Sequence, residues 1–105
     1  GIAAARPGVR ASDLWRAMAE ALDNGTSSGN TVGRFGHGLG MQLTEWPSNM
    51  QSDDTMLRPG MVMTLEPGMT YGDGCQMVHE ENLVIRDGPP ELLSRRAPSE
   101  IPILG

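Results

Sequence analysis

With 105 residues, a formal net charge of −5 and 38% hydrophobic residues, the chain has room for one small domain at most. Its acidic balance argues against nucleic acid as a partner, because phosphate binding needs clustered Lys and Arg. No apolar run reaches the length that spans a membrane, and no positively charged start leads into an apolar stretch that would read as a signal peptide. The single cysteine, Cys75, excludes an internal disulfide, and with eight methionines it leads us to expect a reducing compartment, the cytoplasm. Fourteen glycines and eight prolines predict many turns around a modest core.

Gly1 to Arg6 has no N-cap before its good helix formers, and reads as the end of a helix stopped by Pro7-Gly8. Ser12 reads as an N-cap with Asp13 in the first turn. Leu14, Met18 and Leu22 then recur at i, i+4, i+8, which predicts an amphipathic helix over residues 13–23 with Arg16 and Glu20 on its wet face. Asn24-Gly25 ends it, and Thr26 to Thr31 has the composition of a loop. Val32 and Phe35 are too few to predict a strand. Met41 to Thr44 alternates like a short strand, and Trp46-Pro47-Ser48-Asn49 is expected to break it. Turns are expected at Ser52-Asp53-Asp54 and at Leu57 to Gly60. Met61 to Leu65 is the clearest strand, bounded by Gly60 and Pro67. Tyr71 to Gly74 reads as a tight turn, residues 76–86 as a second strand, Arg86-Asp87-Gly88 as a hairpin turn, and Pro89 to Ser94 as a short return strand. The tail from Arg95 is expected to be irregular.

Three side chains carry chemistry. His37 lies between two glycines in Gly36-His37-Gly38-Leu39-Gly40, so backbone can approach it from both sides. Glu66 follows an apolar strand directly, where a carboxylate is costly unless paired or bound to a metal. Glu80 is adjacent to Glu81, and on a strand the two point to opposite faces, so that one enters a site while the other is solvated. One imidazole and two carboxylates suit a divalent first-row metal. Cys75 and His79, four residues apart, form a weaker nucleophile–base alternative. Trp46 reads either as a pocket wall or as cover for the core.

In order along the chain, Ala3 to Val9 with Ala11-Ser12-Asp13, Gly36 to Gly40, Leu57 to Gly68, and Glu80 to Ile85 with Asp87-Gly88 resemble four motifs of the pita-bread metallopeptidases. That family includes methionine aminopeptidase, aminopeptidase P, prolidase and creatinase. The resemblance implies an α+β fold, the C-terminal part of a pita-bread domain, with a helix on a curved antiparallel sheet, and makes residues 1–105 one portion of a catalytic domain. It implies that His37, Glu66 and Glu80 bind metal, that Glu66 also moves a proton as the catalytic residue, and that the complete enzyme uses two divalent ions of Mn, Co, Zn or Fe. The reaction it implies is attack on a peptide carbonyl by a metal-bridging water. A homodimer acting on a small peptide or other small-molecule substrate is the expected assembly, with neither nucleic acid nor membrane as partner.

Two departures bear on this expectation. The family's site also contains two aspartates from earlier in the chain, and Asp13 and Asp23 fall in the wrong motif, so that pair is expected before Gly1. At Thr44, seven residues after His37, peptidases of the family usually carry a second histidine that contacts the substrate or its developing oxyanion. Threonine donates a hydrogen bond but carries no positive charge. Val78 likewise stands where proline-specific members often have arginine. The first expectation is therefore an Xaa-Pro peptidase with Thr44 in the substrate-binding position. A creatinase-like C–N hydrolase or lyase of a small zwitterion, and a metal-free binding module, are the alternatives. An unpaired sheet edge or uncovered inner face is expected to need cover from upstream residues or a partner chain.

Overall fold

A computed structural model describes residues 1–23 and 33–105. The helix stop expected at Asn24-Gly25, the loop over Thr26 to Thr31, and Val32 lie outside the described residues. Residues 1–5 close one helical turn, with Ala5 N donating to the Gly1 carbonyl at 3.0 Å. Helix α1 (Ala11–Asp23) follows. Leu14 and Met18 from its apolar stripe are buried, and Leu22 is partly so.

The helix begins two residues before the expected start, and Ser12 is not its cap. Leu14 N bonds to the Arg10 carbonyl, which puts Arg10 in the capping position. The free N–H groups of the first turn need partners from outside the helix. Ala11 N donates to the Thr55 carbonyl at 2.9 Å and Ser12 N to the Asp53 carbonyl at 2.7 Å. A neighbouring segment does the work of a cap side chain, and Ser12 Oγ is left to bond Asp54. Arg16 pairs with Asp13 at 2.6 Å on the exposed side of the helix.

Among the described residues seven strands follow: β1 (Arg34–Gly38), β2 (Glu45–Met50), β3 (Val62–Leu65), β4 (Gly68–Tyr71), β5 (Cys75–Val78), β6 (Glu81–Val84) and β7 (Glu91–Leu92). Five form an antiparallel sheet in the order β2-β1-β3-β6-β7, and β4 pairs with β5 as a hairpin. The strand at Met61 to Leu65, the turn at Tyr71 to Gly74, the return strand and the irregular tail are as expected. Other expectations fail. The run over Met41 to Thr44 is a bend, because the Glu45 carboxylate accepts from Gln42 N at 2.9 Å and curls the chain. The expected breaker at residues 46–49 is part of β2; proline lacks the ladder N–H and is tolerated because β2 is an outer strand of the five. β1 forms without strong strand propensity because it pairs on both sides. The expected strand over residues 76–86 splits at His79-Glu80 into β5 and β6.

The core lies between α1 and one face of the sheet: Leu14, Met18, Phe35, Leu57, Met63, Leu65, Leu83 and Ile85 are all buried there. Trp15 stacks on Phe35 with ring centroids 5.6 Å apart. Trp46 does not cover this core. It is 69% exposed, and its indole N–H donates to Thr55 Oγ1 at 2.9 Å.

Asp53 joins the helix start to the outer strand. It is 2% exposed, its Oδ2 accepts from Ser48 N at 2.7 Å and its Oδ1 from Thr55 N at 2.9 Å. Charge-assisted bonds of this kind leave costly buried N–H groups behind when removed. Asp53→Ala is expected to destabilise the chain by about 3 kcal/mol in urea unfolding; a change near zero would show that water replaces both bonds.

Candidate metal centre

His37 sits in β1 between two glycines that sterics require. Gly36 has φ +128°, and a Cβ there would overlap the carbonyl of Thr64 in β3. A Cβ on Gly38 would lie 2.5 Å from the Trp46 carbonyl oxygen in β2. Backbone therefore closes on the histidine from both sides, as the motif predicts. Gly36 also breaks the alternation of the strand. Residues two apart on a regular strand face the same way, yet Phe35 stacks on the helix while His37 meets Thr64 and Glu66.

His37 is held at three points, one through its backbone and two through its ring. His37 N donates to Thr64 Oγ1 at 3.0 Å. Ring Nδ1 lies 2.9 Å from the Gly38 carbonyl oxygen. A carbonyl only accepts, so Nδ1 carries the proton, and in the neutral ring Nε2 presents a lone pair. That lone pair faces Glu66 Oε1 at 3.0 Å, with the histidine side chain 7% and the glutamate side chain 25% exposed. Two acceptors meet at this distance only with a proton or a cation between them. Donor atoms about 2.1 Å from one ion, at roughly a right angle, stand about 3 Å apart. The spacing and the donor types thus fit two neighbouring ligands of one divalent cation.

Glu80 is placed by register. Leu65 pairs with Glu81 and Gly68 with Val78, and His79 N donates to the Pro67 carbonyl at 3.2 Å. One continuous pairing runs through both strand pairs and sets Glu80 directly across from Glu66. Residues opposite each other in an antiparallel pair share a face, and like charges there repel. A cation between the two carboxylates would turn that repulsion into attraction. Glu80 is exposed. Among the described residues, no three His, Cys, Asp or Glu side chains converge closely enough to hold a metal. The structure therefore brings His37 and Glu66 together and puts Glu80 on the face of Glu66 without closing the set.

The neighbouring glutamate corrects an expectation. Glu81 is not solvated but 6% exposed, on the face of Leu65 and the helix. Its Oε1 accepts from Ala97 N at 3.0 Å and lies 3.3 Å from His79 Nε2. His79 thus turns to Glu81, and Cys75 is exposed at the start of β5, so the two do not form a nucleophile–base pair. Thr44 sits in the exposed bend before Glu45, whose backbone pairs with Gly38. Thr64, which fixes the His37 backbone and is 1% exposed, was not read from the sequence as part of the site. A hydroxyl residue inside an otherwise apolar strand, two positions before Glu66, was the available signal.

The family model described as metallopeptidase family M24 matches residues 1–87. The chain is 36% identical over 88 residues to the putative dipeptidase YkvY of Bacillus subtilis, covering 83% of this chain and 24% of that protein. It is 38% identical over 97 residues to an Xaa-Pro dipeptidase of Pyrococcus horikoshii, covering 87% of this chain and 26% of that protein. The prolidase from Pyrococcus furiosus superposes with a TM-score of 0.83 at 29% identity, over 90% of this chain and 28% of that chain. These likenesses bear out the α+β pita-bread architecture. The chain spans about a quarter of the length of these relatives.

The glycine before the histidine is the sharpest structural test of the site. Gly36→Ala meets the Thr64 carbonyl and a disfavoured φ at once, and is expected to destabilise by about 3 kcal/mol or more. Gly33→Ala, with nothing within 4 Å of an added Cβ, is expected to stay within about 0.5 kcal/mol. Thermal unfolding of both variants checks this, and equal effects would refute the close approach.

Proposed function

Because this chain belongs to metallopeptidase family M24, we propose that it carries three of the metal ligands of an Xaa-Pro peptidase: His37, Glu66 and Glu80. The observation that carries the reading is the buried His37 Nε2 facing Glu66 Oε1 at 3.0 Å, with Nδ1 turned to the Gly38 carbonyl. The printed activities of the relatives, Xaa-Pro dipeptidase and prolidase, supply the substrate class.

In this reading Gly38 orients the ring through Nδ1, so that Nε2 is the binding atom. Orientation by a carbonyl acceptor is the usual support of a ligating histidine. Glu80 joins from across the ladder, and the two aspartates that complete the family's set come from outside these 105 residues. Divalent ions of Mn, Co, Zn or Fe, when bound, supply a polarised carbonyl and a water acidic enough to ionise near neutral pH. Glu66 takes up a proton on its carboxylate and passes it to the leaving amine. Its partial exposure lets it reach the substrate while His37 stays enclosed.

Thr44 supports a second reading, a creatinase-like C–N hydrolase or lyase of a small zwitterion. The position carries a neutral hydroxyl in an exposed bend, where an imidazole would offer a positive charge to an oxyanion.

Glu66→Gln is expected to lower turnover by about 10³-fold or more in the metal-loaded protein, on whichever substrate is accepted. Activity of that variant near the wild-type level would rule out a catalytic role and favour a binding module. Thr44→His is expected to raise hydrolysis of Xaa-Pro dipeptides by about tenfold. If the same change instead removes activity on small zwitterions, and Xaa-Pro dipeptides are not cleaved by either form, the second reading holds.

A further inference from the structure

The bulge that turns His37 toward the site has a single residue opposite it. β1 pairs with β2 at Arg34–Met50 and again at His37–Ser48, so Phe35 and Gly36 together face Asn49 alone. An inserted residue of this kind interrupts the ladder and re-aims the side chains beside it. On the other side of β1, the regular pairing with β3 is confined to Gly38 and Met63. The peptide between Phe35 and Gly36 therefore falls outside the paired positions on both sides. Its carbonyl nevertheless tethers the acidic half of the site, because Glu66 N donates to Phe35 O at 2.9 Å.

Asn49 takes the second lone pair of that oxygen. Its Nδ2 donates to the Phe35 carbonyl at 3.1 Å and lies 3.5 Å from Met18 Sδ in α1. The residue is fully buried, and its Oδ1 has no partner among the described residues. Packing alone would favour an apolar side chain here, because a half-paired carboxamide is costly in a core. We propose that Asn49 is a positioning residue for the metal centre: its side chain stands in for the ladder missing at the bulge, holds the Phe35 carbonyl toward the Glu66 N–H, and so fixes the approach of Glu66 to His37. The 3.0 Å between His37 Nε2 and Glu66 Oε1 then depends on a side chain that lies on the helix side of the sheet. The effect on metal binding rests on the function proposed above; the hold on Glu66 does not.

Asn49→Leu keeps the branched shape and removes the donor. Asn49→Val removes it with a smaller side chain of high strand propensity, and serves where leucine does not fit. The first readout needs no metal. Amide exchange at Glu66 is expected to quicken about tenfold in either variant. Exchange at Leu39, bonded to the Val62 carbonyl in the same strand pair, and at Ile85, bonded to the Met61 carbonyl, is expected to stay as in the parent chain. Met18→Leu removes the sulfur contact but not the bond to Phe35, and is expected to leave all three unchanged. The second readout is Co²⁺ affinity, expected to fall about tenfold in the Asn49 variants and to hold in Met18→Leu. Unchanged exchange at Glu66 overturns the proposal. So does equal quickening at Glu66, Leu39 and Ile85, which would make Asn49 an ordinary core residue. Quickened exchange at Glu66 with unaltered Co²⁺ affinity, in a chain that binds the ion, overturns it as well. If the parent chain binds no Co²⁺, the metal reading is what fails, and exchange at Glu66 alone decides the role of Asn49.

Discussion

The site depends on one close approach, the Gly36 backbone against the Thr64 carbonyl. At that point β1 touches β3 with no room for a Cβ, and the strand adopts a φ that side chains rarely take. The break lets Phe35 enter the core and stack on Trp15 while His37, two residues on, turns toward Thr64 and Glu66. The second close approach, Gly38 against β2, brings the carbonyl that fixes the Nδ1 proton. Packing on one side of the sheet and chemistry on the other are thus set by the same few atoms. A regular strand through these residues would have to give up either Phe35 in the core or His37 beside Glu66.

The acidic half of the site is set by pairing rather than by packing. β3 and β6 bring Glu66 and Glu80 opposite each other because their registers are pinned by the buried residues Met63, Leu65, Leu83 and Ile85. Two carboxylates placed opposite each other on one face repel, so the pairing favours a positive charge between them. Glu81 shows the contrary solution on the other face, a buried carboxylate satisfied by two donors. Adjacent glutamates in one sequence therefore occupy different electrostatic environments. The difference comes from strand parity, and a tail segment supplies the Ala97 N–H that satisfies the buried one.

Much of this was legible in the residues. The i, i+4, i+8 stripe from Leu14 marks the helix, the apolar run before Glu66 marks β3, and the glycines around His37 mark a crowded backbone. The rest was hidden for physical reasons. β1 has too few apolar residues to signal a strand and exists because two neighbours pair with it. Pro47 reads as a breaker, but on an outer strand it is tolerated. Ser12 reads as a cap, yet carbonyls of Asp53 and Thr55, some forty residues away in sequence, take over the helix N–H groups. The burial of Glu81 and the role of Thr64 are tertiary facts, set by partners distant in the chain that no local pattern announces.

A crystal of the chain soaked in Mn²⁺ tests directly whether His37 and Glu66 share one cation. An anomalous peak is expected within about 2.3 Å of both His37 Nε2 and Glu66 Oε1, with the His37 Nδ1 bond to the Gly38 carbonyl retained. A peak elsewhere, or a fully soaked crystal in which His37 and Glu66 share only a proton, would contradict it.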